Sequence, residues 1–415
     1  ITIAQALKPL GYATGQFGKN HLGDRDEYLP TKHGFDEFFG NLYHLNAEEE
    51  PEAANWPGND EEFLKAYSPR GVIKASADGK VEDTGPLTVK RMETIDDETT
   101  AAAIDFIDRQ AKAKKPFFTW MNTTRMHLFT HVRPEYRGKS GMTGNEYGDG
   151  MWEHDQDVGK LLTKLDELGI ADNTIVVYAT DNGPNQFSWP DAATTPFRSE
   201  KDTNWEGAFR VPAMVRWPGH VQPGQVSNGM ISGLDWFPTL LAAAGDPDVK
   251  SRLLSGWKPE GSDTSFKNHL DGYNQLDYIT GKADKSARNE FYYFDDDGNL
   301  VSIRYDDWKV VFHEQRTPGG FGVWQDPLVT LRLPKLFNLR MDPYERADLV
   351  SDQYNDWLVK NDFLLVKGQL KGAAFLETFV KYPPSQRVAS FNIEGVREQV
   401  DKAIDESFKA RGIEK

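Results

Sequence analysis

A repeated alternation between helical stripes and short apolar runs is what most constrains the fold of this chain. Ala103, Phe106 and Ile107 recur at helical spacing, Pro116 breaks the pattern, and the apolar run Phe117 to Met121 follows. Val158, Leu161, Leu162, Leu165 and Leu168 form a second stripe closed by Gly169, and Ile175 to Ala179 then reads as a buried-type strand. Apolar residues three and four apart share one helix face, whereas a continuous apolar run suits a strand covered on both sides. The alternation predicts an α/β domain with a mostly parallel sheet between helices. Upstream, Thr2 and Gln5 have capping-box spacing for a helix from Ile3 to about Leu10, ended by Gly11. Tyr12 to Phe17 reads as a strand with a loop after it, and Asp235 as the cap of a helix running through Leu240, Leu241 and Ala244 to Gly245.

Two stretches differ in texture. Residues 44 to 92 are acidic and rich in Pro and Gly, with Glu48, Glu49 and Glu50 in a row, which predicts a solvated insertion. Beyond about residue 286, Val301 to Tyr305 and Trp308 to Phe312 flank Asp306-Asp307 as a hairpin, Lys335 to Leu339 reads as a further strand, and helical patterns follow. The expected organisation is a larger domain over 1–285 and a smaller α+β subdomain over 286–415; 415 residues are ample for a large core.

Lys plus Arg total 48 against 64 Asp plus Glu, a formal charge of −16, which argues against a nucleic-acid partner. Local clusters of Lys and His therefore stand out against the global field. There is no cysteine, so disulfides and Cys-ligated metals are excluded. No apolar run reaches the length of a membrane span. The first residue is Ile1, from which we expect a processed or internal start.

In open α/β sheets ligands bind beyond the carboxyl ends of the strands. Three predicted strands end in polar clusters: Gly18-Lys19-Asn20-His21-Leu22-Gly23 after Phe17, Asn122-Thr123-Thr124-Arg125-Met126-His127 after Met121, and Thr180-Asp181-Asn182-Gly183-Pro184 after Ala179. Parallel neighbours would bring them to one edge. Asp181 and Asn182 offer the hard oxygens that Ca²⁺ or Mg²⁺ prefer, although Asp-Asn-Gly is also ordinary turn chemistry. Lys19 and His21 could face one anion, or be a surface lysine and a satisfied histidine. His127 could protonate a leaving oxygen, with His131 four residues on as an alternative. Lys201, in Lys201-Asp202-Thr203-Asn204-Trp205-Glu206-Gly207, is by itself a charged loop residue.

Taken in order, these segments resemble successive motifs of the sulfatase family. So do His33-Gly34-Phe35-Asp36, Arg210-Val211-Pro212, Trp217-Pro218-Gly219, Leu234 to Leu240 and Asp342-Pro343-Tyr344-Glu345. Tyr382-Pro383-Pro384 with Ser390-Phe391-Asn392 is similar to the tail of bacterial arylsulfatases, and the resemblance extends over nearly the whole chain.

The resemblance implies the alkaline-phosphatase-like α/β fold, one divalent cation, usually Ca²⁺, and a formylglycine nucleophile made from Cys or Ser in a Cys/Ser-x-Pro-x-Arg motif. It implies that Asp181 and Asn182 ligate the metal, and that Lys19 and His21 hold the formylglycine and the sulfate. In the family that histidine is usually assigned to deprotonating the hemiacetal. His127 and Lys201 match the pair that binds sulfate and assists departure of the alcohol or phenol oxygen. The implied partner is a small-molecule or carbohydrate sulfate ester, and the implied location periplasmic or secreted; oligomeric state is left open.

Two departures bear on these expectations. The family loop usually carries Trp where Asn20 stands. The chain has neither Cys nor a Ser-x-Pro-x-Arg sequence, and the family's paired N-terminal aspartates have no counterpart; in relatives both lie upstream of the position matching Thr2. The expectation is a sulfatase parent whose 415 residues here are inactive alone and bind metal poorly. Rival readings are a phosphodiesterase or phosphonate monoester hydrolase of the same superfamily, and a non-catalytic binder of sulfated glycans.

Overall fold

The computed structural model describes residues 1–142, 144–186, 194–384, 400 and 402–404, so Ser390-Phe391-Asn392 lies outside the described residues. The chain divides into two compact units. The first comprises Ile1–Asp181, Asn185–Thr194 and Pro212–Arg288; the second comprises Asn182–Pro184, Thr195–Val211 and Asn289–Lys415.

The first unit is built on strands β1 (Ala13–Gly18), β2 (Glu37–Gly40), β3 (Ile73–Ser76), β4 (Val81–Asp83) and β5 (Phe117–Asn122), in the order β4-β3-β2-β1-β5. β1 pairs in parallel with both β2 and β5, and β3 and β4 extend the sheet antiparallel, so it is mixed with a parallel centre. All six residues of β1 are buried, as expected of a central strand. The stripe read at Ala103, Phe106 and Ile107 belongs to the helix Ile95–Lys112 and packs with Ala13, Phe17 and Leu165. The Phe17 and Phe106 rings lie 5.7 Å apart; burying Phe106 fully contributes about 2–3 kcal/mol. A second cluster gathers Ala6, Leu7, Leu241, Val249 and Leu253, with Phe118 of β5 against it.

Several local expectations change. The Thr2/Gln5 capping box is present, but the α-helix runs only over Ile3–Leu7, because Pro9 forces a 3₁₀ turn before Gly11 at φ +85°. The strand read at 175–179 is β6 (Val176–Ala179), half-buried rather than buried, and pairs antiparallel with β7 (Ala213–Arg216). The Asp235 carboxylate accepts no capping hydrogen bond from the helix Trp236–Ala243. Its carboxylate, fully buried, accepts instead from Arg288, Gln275 and the backbone N–H groups of Ser232 and Tyr273. Residues 44–92 are a solvated insertion only in part: none of 51–69 is buried, but Leu45, Val72, Leu87 and Met92 form a core with Ile95, and β3 and β4 widen the main sheet.

The second unit carries the antiparallel sheet β8 (Glu290–Phe294), β9 (Leu300–Tyr305), β10 (Trp308–Glu314) and β11 (Val329–Asn338) in the order β11-β10-β9-β8. β9 and β10 form the expected hairpin, closed at Tyr305↔Trp308 with Asp306 at φ +52°. Its core holds Trp205 with Ile303, Tyr305, Val310 and Phe337. Lys309 is fully buried, 3.1 Å from Glu206 and 2.8 Å from Glu345. The Trp205-Glu206-Gly207 motif is therefore spent on structure: the indole N–H donates to Gln315 O, and the carboxylate anchors a buried ion-pair cluster.

Candidate active site

The first unit draws three strand ends together through two glycines. A Cβ on Gly18, whose φ is +96°, would sit 1.7 Å from Asn122 O, and one on Gly40 would sit 1.7 Å from Gly18 O. Neither contact tolerates a side chain, so the carboxyl ends of β2, β1 and β5 meet only because both positions are glycine. The loops that follow are stitched to one another. Lys19 N donates to Asn122 O at 2.9 Å, Asn122 Nδ2 donates back to Lys19 O at 3.1 Å, and Asn20 N donates to Asn41 O at 2.8 Å. Asn20 itself is buried, with Nδ2 donating to Gln16 Oε1 at 3.3 Å.

On this frame three imidazoles gather. The His21 and His44 rings meet edge to face with centroids 5.2 Å apart, and the His44 and His127 rings stack at 6.1 Å, 6° from parallel. His21 and His127, 106 positions apart in the chain, are thus joined through a histidine that sequence reading passed over. The missed signal was positional: Gly40 to His44 follows the Phe38-Phe39 strand as the other polar clusters follow theirs. His127 Nδ1 lies 2.9 Å from Leu128 O; a carbonyl only accepts, so Nδ1 carries the hydrogen in this bond. His131 is set apart by its partner, with Nε2 2.7 Å from Glu49 Oε2.

The loop carrying His127 rests on buried charge. Asp96 accepts from Thr124 and Arg125, and Arg125 pairs in turn with Glu153. His154 spans from Thr123 Oγ1, at 3.3 Å from Nδ1, to Tyr178 OH, at 3.0 Å from Nε2, and so ties this loop to β6 three residues before Asp181. Burial holds the His154 imidazole below its ordinary pKa. The loop after His21 is held by Tyr43 OH donating to Asp24 Oδ2 at 2.6 Å and by Arg70 donating to Asp24 O at 2.7 Å.

The boundary between the units falls between Asp181 and Asn182. Asp181, on the first unit, is exposed, with Thr180 Oγ1 3.4 Å from its Oδ1. In the second unit, Lys201 N donates to Pro184 O at 2.9 Å and Gly183 N to Ala208 O at 2.8 Å, which brings the Asn182-Gly183-Pro184 turn beside Lys201. A Cβ on Gly183 would lie 1.8 Å from Gly207 O, and one on Gly207 would lie 2.2 Å from Ser199 O, which accounts for both glycines. The Lys201 ammonium lies 5.5 Å over the Trp324 ring. Burial, with Asp296 and Glu200 adding to it against the pull of Lys201, pushes the Asp202 carboxyl up to about 6.

Asn182 Nδ2 donates to Gly183 O, so its Oδ1 is the atom that could face a cation. A carboxylate and a carboxamide oxygen suit Ca²⁺ or Mg²⁺ in kind. Two donors fall short of the six to eight that Ca²⁺ takes, and the described residues contain no cluster of three acidic or imidazole ligands placed to hold a metal.

The sulfatase family model matches residues 2–246. Human N-acetylgalactosamine-6-sulfatase is 34% identical over 258 residues, 61% of this chain and 46% of that protein. Human arylsulfatase A is 28% identical over 369 residues, 84% of this chain and 67% of its own. Among solved structures, the PsFucS1 sulfatase from Pseudoalteromonas sp. superposes with a TM-score of 0.78 at 28% identity, covering 93% of this chain and 74% of that one. The chain spans about half the length of the first curated relatives it matches. With the family model covering more than half of its residues, the chain belongs to the sulfatase family.

Proposed function

We propose that the intact protein hydrolyses sulfate esters of a small molecule or carbohydrate. The observation that carries this reading is the gathering of His21 and His127, from two separate strand ends, around a third imidazole, with the Lys19 backbone hydrogen-bonded to the end of β5. In this reading the Lys19 ammonium and the His21 ring bind the sulfate oxygens. His127 Nε2 delivers a proton to the leaving oxygen, and the part of Lys201, in the second unit, is taken from the family resemblance alone. Asp181 and Asn182 would hold part of a divalent cation, which would supply charge neutralisation on the transferring group. These 415 residues contain neither Cys nor Ser-x-Pro-x-Arg, so in this reading the nucleophile and further metal ligands would have to come from outside them. No described helix is long and apolar enough to cross a membrane, and a periplasmic or secreted location fits the family reading.

The test is a substrate profile with Ca²⁺ present. The intact protein should release sulfate from 4-nitrophenyl sulfate or a sulfated sugar, and the 415-residue chain alone should not. Preference for a phosphonate monoester, or no turnover by the intact protein, would replace this reading with one of its rivals.

A further inference from the structure

We propose that His44 contacts the organic part of the substrate, as a neutral imidazole that reads an uncharged oxygen such as a sugar hydroxyl. The inference rests on the sulfate-ester reading above and deepens it.

Position comes first. His44 lies between His21 and His127, edge-on to one and stacked on the other, so a ligand reaching both neighbours meets this ring as well. Protonation state follows from geometry. His44 Nδ1 accepts from Ala47 N at 3.2 Å, capping the short helix Leu45–Glu49. An accepting ring nitrogen carries no hydrogen, so the hydrogen is on Nε2 and the capped ring is uncharged. The neighbours' chemistry then divides the work. The Lys19 ammonium is the group suited to a sulfate anion, whereas a neutral N–H donor is suited to a hydroxyl, and a site built to bond a hydroxyl rejects analogues that lack it.

The ring is also held firmly. Leu45 and Glu48 are buried at 1% and 3% exposure, Glu49 is paired with His131, and Tyr43 is bonded to Asp24. Such preorganisation lowers the ordering cost of binding.

His44→Asn tests the idea while preserving the fold, since asparagine is a strong helix cap but lacks the imidazole's reach. The affinities of the 415-residue chain for sodium sulfate and for N-acetylgalactosamine 6-sulfate would be measured by NMR titration, together with the ¹⁵N shifts of the imidazoles. The expected result is an unchanged affinity for sulfate and a loss of about tenfold for the sugar sulfate, the size of one neutral hydrogen bond. The His44 shifts should report hydrogen on Nε2. Equal losses for both probes would make His44 an anion ligand, an unchanged sugar-sulfate affinity would make it only a cap, and either overturns the proposal. If neither probe moves His21 or His127, the sulfate-ester reading itself fails.

Discussion

Arg125 and Asp96 form a buried ion pair beneath the His127 loop, with side chains 1% exposed and Nη1 3.0 Å from Oδ2. The same carboxylate accepts from Arg125 N at 3.1 Å, Thr124 N at 2.7 Å and Thr124 Oγ1 at 2.9 Å. One aspartate on the helix Ile95–Lys112 thereby fixes the turn that leads from β5 to His127.

Replacing Arg125 with Met should destabilise the protein by about 3–5 kcal/mol, because it leaves the buried Asp96 carboxylate without its cation and Glu153 with Arg133 as its remaining one. Chemical denaturation would measure this. A loss under 1 kcal/mol would show that the network is solvated or dispensable.

Glu48 gives a pH signature. Burial is the main cause, with Asp83 nearby adding to it against Arg91 and the Tyr43 backbone, and it pushes the carboxyl from 4.5 up to about 8. Between those values the folded state binds more protons than the unfolded state, so this group's contribution is complete below about 4.5 and is lost as pH rises through about 8. Glu48→Gln should therefore remove a fall in unfolding free energy on the order of a few kcal/mol across that window. Denaturation midpoints at several pH values would show it; parallel profiles for the two proteins would contradict it.

In the intact protein, His127→Ala should slow hydrolysis of alkyl or sugar sulfates on the order of 10²–10⁴-fold. The loss on 4-nitrophenyl sulfate should be much smaller, since nitrophenolate departs without a proton. Steady-state kcat values for both ester classes decide this, and equal losses on both would deny His127 the proton donor's role.

Much of the frame was legible in the chain itself. The stripe at Ala103, Phe106 and Ile107 and the run Phe117 to Met121 identified a helix and a strand, because a single period governed each. The clusters after Phe17 and Met121 could be placed at one edge because both strands are parallel neighbours. Residues 44–92 misled in part: 51–69 are solvated as expected, but the acidic composition hides Leu45, Val72, Leu87 and Met92, which pack together with Ile95 across a wide separation in the chain. His44 was lost with them. Asp235 looked like a helix cap because aspartate before an apolar helix usually is one; Arg288, 53 residues away, competes for it. The role of Glu206 likewise needed Lys309 and Glu345, contacts that no local pattern announces.

The central claim is an anion site formed by Lys19, His21 and His127. Selenate, an isostere of sulfate with an anomalous X-ray signal, locates that site directly in crystals of this chain. An anomalous peak is expected within hydrogen-bond distance of the Lys19 ammonium and the His127 imidazole. A well-occupied selenate elsewhere, with none beside those residues at saturating concentration, would contradict it.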